Sequence, residues 1–333
     1  MDRRQLTALT GRFGDLRVGV FGDVVADLYV TGITDRVSRE APIIIVREES
    51  QELIPGGAAN VARNIASLGA AVELVGVTGR DELGSRLAGQ LGEAGLGVSG
   101  LIGWDDYRTV TKTRVMAGAK HTAPQQVLRI DREPASGPDG PLERKLLSAA
   151  RSLDRRIDAW VISDYGYGVV TPGVREWFGK VAASKPVLAD SRYRILEYCG
   201  LTAIKPNEQE ALEASGLHDN SEKGLVEAAR RLQRRTRAGS IVMTLGNKGM
   251  LVYRGPRSWR FVPAVGTDQI VDLTGAGDTA GAALVTGLAA GADVFQAAML
   301  ANCAASVVVM KQGCACCTRA ELMAIVERHL SDE

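Results

Sequence analysis

A chain of 333 residues, 45% hydrophobic and 24% charged, has room for one large or two modest domains of ordinary soluble type. Forty basic against thirty-nine acidic residues leave no overall basic field, which argues against nucleic acid as a partner. The opening stretch MDRRQLTALTGRFGDLRV has no apolar signal core, and the most apolar run, CAASVVVM (303–310), is far short of the roughly 20 residues a membrane span needs. The expectation is a cytoplasmic chain with no membrane partner.

Taken in chain order, apolar β-type runs alternate with helical patterns. RVGVFGD (17–23) reads as a strand, GGAANVARNIASLG (56–69) as a helix, AVELVGVTG (71–79) as a strand and DELGSRLAGQLGEAG (81–95) as a helix. DAWVISDYG (158–166), PVLADS (186–191), LTAIKPN (201–207) and SIVMTLG (240–246) continue the strands, with helical segments between most of them. The alternation predicts an α/β architecture with a mostly parallel central sheet. Residues 28–50 and about 101–131 lack a helical period and are rich in Thr, Val, Ile and Arg. They are expected to form a small β-sheet lid inserted into one domain spanning 1–333. The arginine run RRLQRRTR (230–237) fits the solvated face of a helix beginning near Ser221. Cys314, Cys316 and Cys317 lack the second ligand cluster of a zinc site and read as packing residues.

One glycine pattern carries no function. GLGVSG (95–100) has G-x-G-x-x-G spacing but follows a helical segment, so it reads as a helix cap and loop, and no P-loop motif is present. The stretch DLTGAGDTAG (272–281) is different. It precedes the small-residue helix TAGAALVTGLAAG, so Gly275, Ala276 and Gly277 sit at a helix start, where free amides favour anions. Asp278 then stands beside any phosphoryl group held there, suited to accept a proton from an attacking hydroxyl. Spacing alone leaves a second reading open: an Asp that caps its own helix.

GGAANVARNIASLG with Gly79, followed two hundred residues later by 272–281, resembles the paired signatures of the PfkB (ribokinase-like) carbohydrate kinases. The only departure in the second is Leu273. The resemblance implies the ribokinase-like three-layer fold with its β-lid, ATP and Mg²⁺ as cofactors, and a homodimer through the lid. It implies Asp278 as catalytic base and Gly275, Ala276 and Gly277 as its anion hole. Asp23, Asp27, Gly56, Gly57 and Asn60 match sugar-binding positions. Asn207 and Glu210 in KPNEQE match the N-x-x-E pair that organises Mg²⁺ and the ATP phosphates. Thr244, Gly246, Gly249, Thr274 and Asn302 match nucleotide-side positions. Asp272 and the 309–317 segment overlay the loop that holds a monovalent cation such as K⁺, with cysteines as a departure.

Within the family the chain is similar to the D-glycero-β-D-manno-heptose 7-phosphate 1-kinases. The stretches that carry this are RVSREAP (36–42), TKTRV (111–115), QQVLRID (125–131) and VISDYGYG (161–168). The likeness implies Asp164 as a substrate residue. A distal phosphate needs cations, and Lys112, Arg114, Arg129 and Arg192 are the candidates. Arg39, Tyr167 and DSR (190–192) depart from the subfamily's Pro, Lys and DPK, and no nucleotidyltransferase domain is expected after residue 333. Another sugar or sugar phosphate remains an alternative substrate. A catalytically inactive sugar sensor is the alternative of another class, opposed by the intact set Asp278, Gly275–Gly277, Asn207 and Glu210.

Overall fold

The computed structural model describes residues 3–37, 41, 43–119, 122–134, 137–138, 140–266 and 271–329. Arg39 and most of the RVSREAP stretch lie outside them.

Helix α1 (Arg3–Gly11) leads into β1 (Arg17–Gly22), and β2 (Val24–Val37) follows after Asp23 alone. Strand β3 (Ile44–Gly57) returns directly into α2 (Ala58–Ser67), followed by β4 (Ala71–Gly79), α3 (Glu82–Glu93) and β5 (Gly97–Trp104). Strands β6 (Val110–Gly118) and β7 (Gln125–Arg132) precede α4 (Gly140–Asp154), β8 (Ala159–Asp164), α5 (Pro172–Val181) and β9 (Val187–Ser191). The two-residue β10 (Ala203–Ile204), α6 (Glu208–Ser215), α7 (Glu222–Thr236) and β11 (Ser240–Thr244) continue the pattern. A hairpin of β12 (Met250–Gly255) and β13 (Ser258–Val262) precedes α8 (Ala276–Ala289), α9 (Val294–Val308) and α10 (Arg319–His329).

The main sheet runs β13-β12-β11-β10-β9-β8-β1-β4-β5. Pairing is parallel from β5 to β11, and only the β11-β12-β13 edge is antiparallel. Every residue of β8 is buried, as expected for a strand with helices on both faces. One face packs against α1, α2, α3, α8, α9 and α10 through residues such as Val20, Leu74, Ile65 and Leu284. The other packs against α4, α5, α6 and α7 through Phe21, Ile162, Phe178 and Leu232. The arginine run lies on α7, which Ser221 caps by accepting from the Gly224 amide.

A second, four-stranded sheet runs β3-β2-β6-β7. It is the lid, but narrower than the sequence suggested. Residues 101–104 belong to β5 in the main sheet, because the run from Gly97 pairs in parallel with β4. The same strand corrects the reading of GLGVSG: Gly95, with φ +79°, ends the helix, but Gly97–Gly100 already lie in β5.

From β1 the chain steps to β4 and β5 on one side and returns to β8, β9, β10 and β11 on the other. In open parallel sheets the crevice beyond the strand carboxyl ends at such a reversal is where ligands bind. Asp23 follows β1, Asp164 ends β8, Asp190 lies near the end of β9, Lys205 follows β10 and Thr244 ends β11.

Candidate active site

The row of strand ends meets the start of α8. Gly275 takes the N-cap position with φ +79°, a left-handed conformation that favours glycine. Ala276 donates its amide to the Leu273 carbonyl at 3.2 Å, whereas Gly277 and Asp278 find no backbone acceptor among the described residues. The anion hole is thus the turn at Gly275 with the amides that follow it, and Ala276 contributes shape more than a donor.

Asp278 does not cap its helix. Its Oδ2 accepts from Asn60 Nδ2 and its Oδ1 from the Tyr165 hydroxyl, each at 2.7 Å. Asn60 is held from below: Asn64 Nδ2 donates to the Asn60 carbonyl at 3.0 Å, and Asn64 Oδ1 accepts from Thr279 at 2.8 Å. This closed set ties α2 to α8 and fixes the carboxylate. Burial pushes the Asp278 carboxyl up to about 6, with Asp190 adding to the rise and the Asn60, Tyr165 and Lys205 interactions opposing it. A carboxyl held there is ionised near neutrality yet basic enough to take a proton.

Asp278, Gly275 and Gly277 line a cavity of about 280 Å³ together with Asn207, Glu210, Thr244 and Arg192. Two further liners, Lys205 and Asp190, were missed in the sequence reading, although both lie in stretches it singled out. Lys205 is buried and pairs with Asp190 at 2.8 Å. Its Nζ lies 3.9 Å from where a Cβ at Gly277 would sit, which puts the ammonium beside the helix start. Burial opposes the Lys205 charge, but Asp190, Glu210 and Asp278 hold its pKa above the ordinary lysine value. Tyr165, also missed, orients the base.

Asn207 and Glu210 form a capping box at the start of α6. Asn207 Oδ1 accepts from the Glu210 amide and Glu210 Oε2 from the Asn207 amide, both at 2.8 Å. The pair is therefore pre-oriented, with Glu210 Oε1 not taken up by the cap. Burial pushes the Glu210 carboxyl above its ordinary value. Gly246 and Gly249 flank the short turn after β11, and Asn302 Nδ2 ties α9 to the Pro263 carbonyl.

On the sugar side, Gly56 lets the Asp27 carboxylate lie against the backbone: a Cβ there would sit 2.2 Å from Asp27 Oδ2. Asp27 forms a close ion pair with Arg114, and Gly57 N-caps α2. Strand register puts Asp27 opposite Lys112 and Tyr29 opposite Arg114, so these residues share one lid face. The Lys112 ammonium lies 5.3 Å from the Tyr165 ring centroid and 6.0 Å from that of Tyr167.

Other expected residues take different places. Asp23 is fully buried, and its carboxylate accepts the amides of Tyr165, Tyr167 and Val169. Its own burial and nearby Asp164 push it up to about 6. Asp164 is engaged by Ser191, Arg194, Tyr198 and the Gly166 amide. Both carboxylates shape the 165–169 loop that carries Tyr165, and Asp164 also lines the cavity beside Asp278.

Lys112 and Arg114 share the lid face that carries Asp27, Arg129 stands opposite Arg114 on β7, and Lys112 also feels the Arg192 charge. Arg129 pairs with Asp131 at 2.9 Å on the edge strand β7 and stays half exposed, while Arg192 stands on the Lys205 side. Asp272 Oδ1 accepts from the Thr274 amide and hydroxyl, and Oδ2 from the Gly313 amide. Burial works against the Asp272 charge, but these bonds and Arg114 hold its pKa below the ordinary value. Cys314 lies against Gly275, 3.2 Å from a notional Cβ, and burial pushes its thiol up to about 12, so it stays protonated.

The sequence profile of the pfkB family carbohydrate kinases matches residues 16–128 and 180–321. Bifunctional protein HldE of Azorhizobium caulinodans is 39% identical over 317 residues, covering 93% of this chain and 64% of that protein. Its namesake from Caulobacter vibrioides is 39% identical over 326 residues, 96% of this chain and 65% of that protein. The chain therefore spans just under two thirds of the length of these relatives. Among solved structures, Arabidopsis thaliana ribokinase complexed with ribose and ATP superposes with a TM-score of 0.73 at 20% identity, over 94% of this chain and 99% of that one. Phosphofructokinase-2 from Escherichia coli in complex with potassium gives 0.75 at 19% identity, over 94% and 98%. At these identities the structures speak for the fold.

Proposed function

Because the chain belongs to the pfkB family of carbohydrate kinases, we propose that it transfers the γ-phosphoryl group of ATP to O1 of D-glycero-β-D-manno-heptose 7-phosphate. One observation carries the kinase chemistry. The Asp278 carboxylate is fixed by Asn60 and Tyr165 at the mouth of a helix-start anion hole instead of serving as a cap. For the sugar, support comes from the heptose-kinase-like stretches TKTRV, QQVLRID and VISDYGYG and from the similarity to Bifunctional protein HldE.

Asp278 accepts the proton of the attacking hydroxyl. Asp27, held by Arg114 and given room by Gly56, is placed to take a sugar hydroxyl. The amides after Gly275 and the Lys205 ammonium face the position of the transferring phosphoryl, where charge develops. Lys205 and Arg192 beside the Glu210 carboxylate form a donor set that fits a nucleotide triphosphate with a divalent cation. ATP would supply the phosphoryl group and Mg²⁺ would neutralise its charge, with Asn207 and Glu210 as the holding pair. Asp272, which keeps a free lone pair beside its three hydrogen bonds, would be the carboxylate ligand for K⁺.

The lid is proposed as the contact of a homodimer in the cytoplasm. Leu128 and Ile130, on the side of β7 opposite Arg129, are 53% and 55% exposed. No helix among the described residues is long and apolar enough to cross a membrane.

ATP turnover on heptose 7-phosphate, free heptose, ribose and fructose 6-phosphate tests the assignment. Highest kcat/KM on the heptose phosphate is expected. Comparable efficiency on free heptose would sink the phosphosugar, and turnover of none would leave the inactive-sensor reading.

A further inference from the structure

The sugar-phosphate reading leaves a question of charge. Arg114 is neutralised by Asp27, Arg129 by Asp131, and Arg192 stands on the phosphoryl-transfer side. Lys112 faces the site over Tyr165 and Tyr167, and a phosphate at the far end of the sugar, with nearly two negative charges, calls for a second cation beside it.

A cavity of about 750 Å³ lies under the site-facing side of the lid, between Tyr29 and Thr31 of β2 and Gln90 of α3, with Asp272 and the 312–314 loop as its floor. Its volume falls in the range of small-ligand sites. It continues the sugar subsite in two ways. Asp27, Tyr29 and Thr31 alternate onto one face of a single strand, and each two-residue step covers about 7 Å. Cys314, which lines the cavity, also touches the Gly275 turn.

Arg63 reaches into this cavity from α2. Its Nη1 is buried and has no hydrogen-bond partner among the described residues. Two carboxylates line the cavity, Asp272, which already accepts from Thr274 and Gly313, and Glu52 of β3, opposite Tyr29; the Cys314 and Cys316 thiols are pushed up by burial and remain neutral. A guanidinium nitrogen left without a partner costs free energy unless a ligand completes it. The same helix carries Asn60, which grips the catalytic carboxylate, three residues earlier. Residues three apart are neighbours on a helix surface, so α2 sets the separation between the reacting centre and this cation.

We propose that this cavity seats the anionic end of the substrate, with Arg63 as the cation that recognises a phosphate remote from the reacting hydroxyl. The inference rests on the sugar-phosphate reading above and names the residue that would enforce it.

Calorimetric binding without ATP tests it on the full chain, using D-glycero-D-manno-heptose 7-phosphate and free heptose with wild type, Arg63→Met and Arg63→Lys. Wild type should bind the phosphosugar at least 10-fold more tightly than the free sugar. Arg63→Met should lose roughly 10- to 100-fold for the phosphosugar, the range for a charge-assisted hydrogen bond, while retaining free-sugar binding. Arg63→Lys should fall between. If Arg63→Met does not fold, judged by its melting curve, Arg63→Gln is subject to the same comparison. A preference that survives in Arg63→Met overturns the proposal, as does equal weakening of both ligands or a wild type without preference. A wild type that binds the phosphosugar through Arg63 but never phosphorylates it would uphold this site and defeat the kinase assignment, so the two failures stay distinct.

Discussion

Asparagine at position 278 separates base from cap in one variant. Asp278 accepts from Asn60 Nδ2 and from the Tyr165 hydroxyl at 2.7 Å each. An amide can keep both contacts, because a tyrosine hydroxyl can turn from donor to acceptor. Shape survives and proton acceptance does not. The expected loss is about 10²–10⁴-fold in kcat, or about 3–5 kcal/mol of barrier, with KM for ATP little changed.

Stability should move the other way. Burial holds the carboxyl at about 6 against an ordinary 3.8, so keeping it ionised in the folded chain costs about 3 kcal/mol. Its folded-state pKa is raised, so its favourable contribution is complete below pH 3.8 and is lost as the pH climbs through about 6. At pH 8 the wild type bears the full cost and Asp278→Asn bears none. The variant should therefore melt higher at pH 8, by on the order of 5 °C, with the gap closing toward pH 4. Steady-state kinetics and melting curves from pH 4 to 8 measure both effects, and the wild-type kcat should show an acid limb near pH 6. Near-full activity in the variant would refute the base. Equal melting temperatures at every pH would refute the buried, costly carboxylate.

Four further outcomes are expected. Lys205→Met should lower kcat about 100-fold and move the acid limb to higher pH, because its charge pulls Asp278 down; a pH–rate profile reads both. Gly56→Ala places a methyl 2.2 Å from Asp27 Oδ2 and should raise the sugar KM about 10-fold or more, leaving that for ATP unchanged in the same kinetics. Arg129→Ala should leave sugar KM within about twofold, since an exposed pair with Asp131 is worth at most about 1 kcal/mol; a larger rise would restore it to the site. Ile130→Glu should convert the proposed dimer to monomer in sedimentation, and an unchanged mass would move the contact elsewhere.

The sequence reading fared best where physics is periodic. Buried parallel strands such as AWVISD and amphipathic helices such as α7 announce themselves, and with the two signatures they led to the observed three layers and to the kinase family. Residues 101–104 were misplaced because a β-type run shows no sign of which sheet it will join. Tyr165, Asp190 and Lys205 were missed because single residues at strand ends have no spacing; only the sheet order brings three separate loops to one point. Arg129 has a partner that spacing makes visible. Asp131 stands two residues on, hence on the same strand face, and already offered a partner. Asp23 and Asp164 were legible as acids after strands, but not as acceptors for a loop's own amides.

Strands β2 and β3 run from the sugar subsite outward, with Asp27 and Gly56 at their roots and register shifts only at Thr31/Gly32 and Thr34/Arg36. They make the lid a lever. Ten residues separate Asp27 from Val37, roughly 33 Å of strand. A tilt of about 5° at the root, small enough to accompany closure on a sugar, displaces the far end by about 3 Å at that length. Whatever rests on the outer lid is moved by an amount comparable to the spacing between packed atoms, so events at Asp27 are amplified at a surface that never touches the substrate.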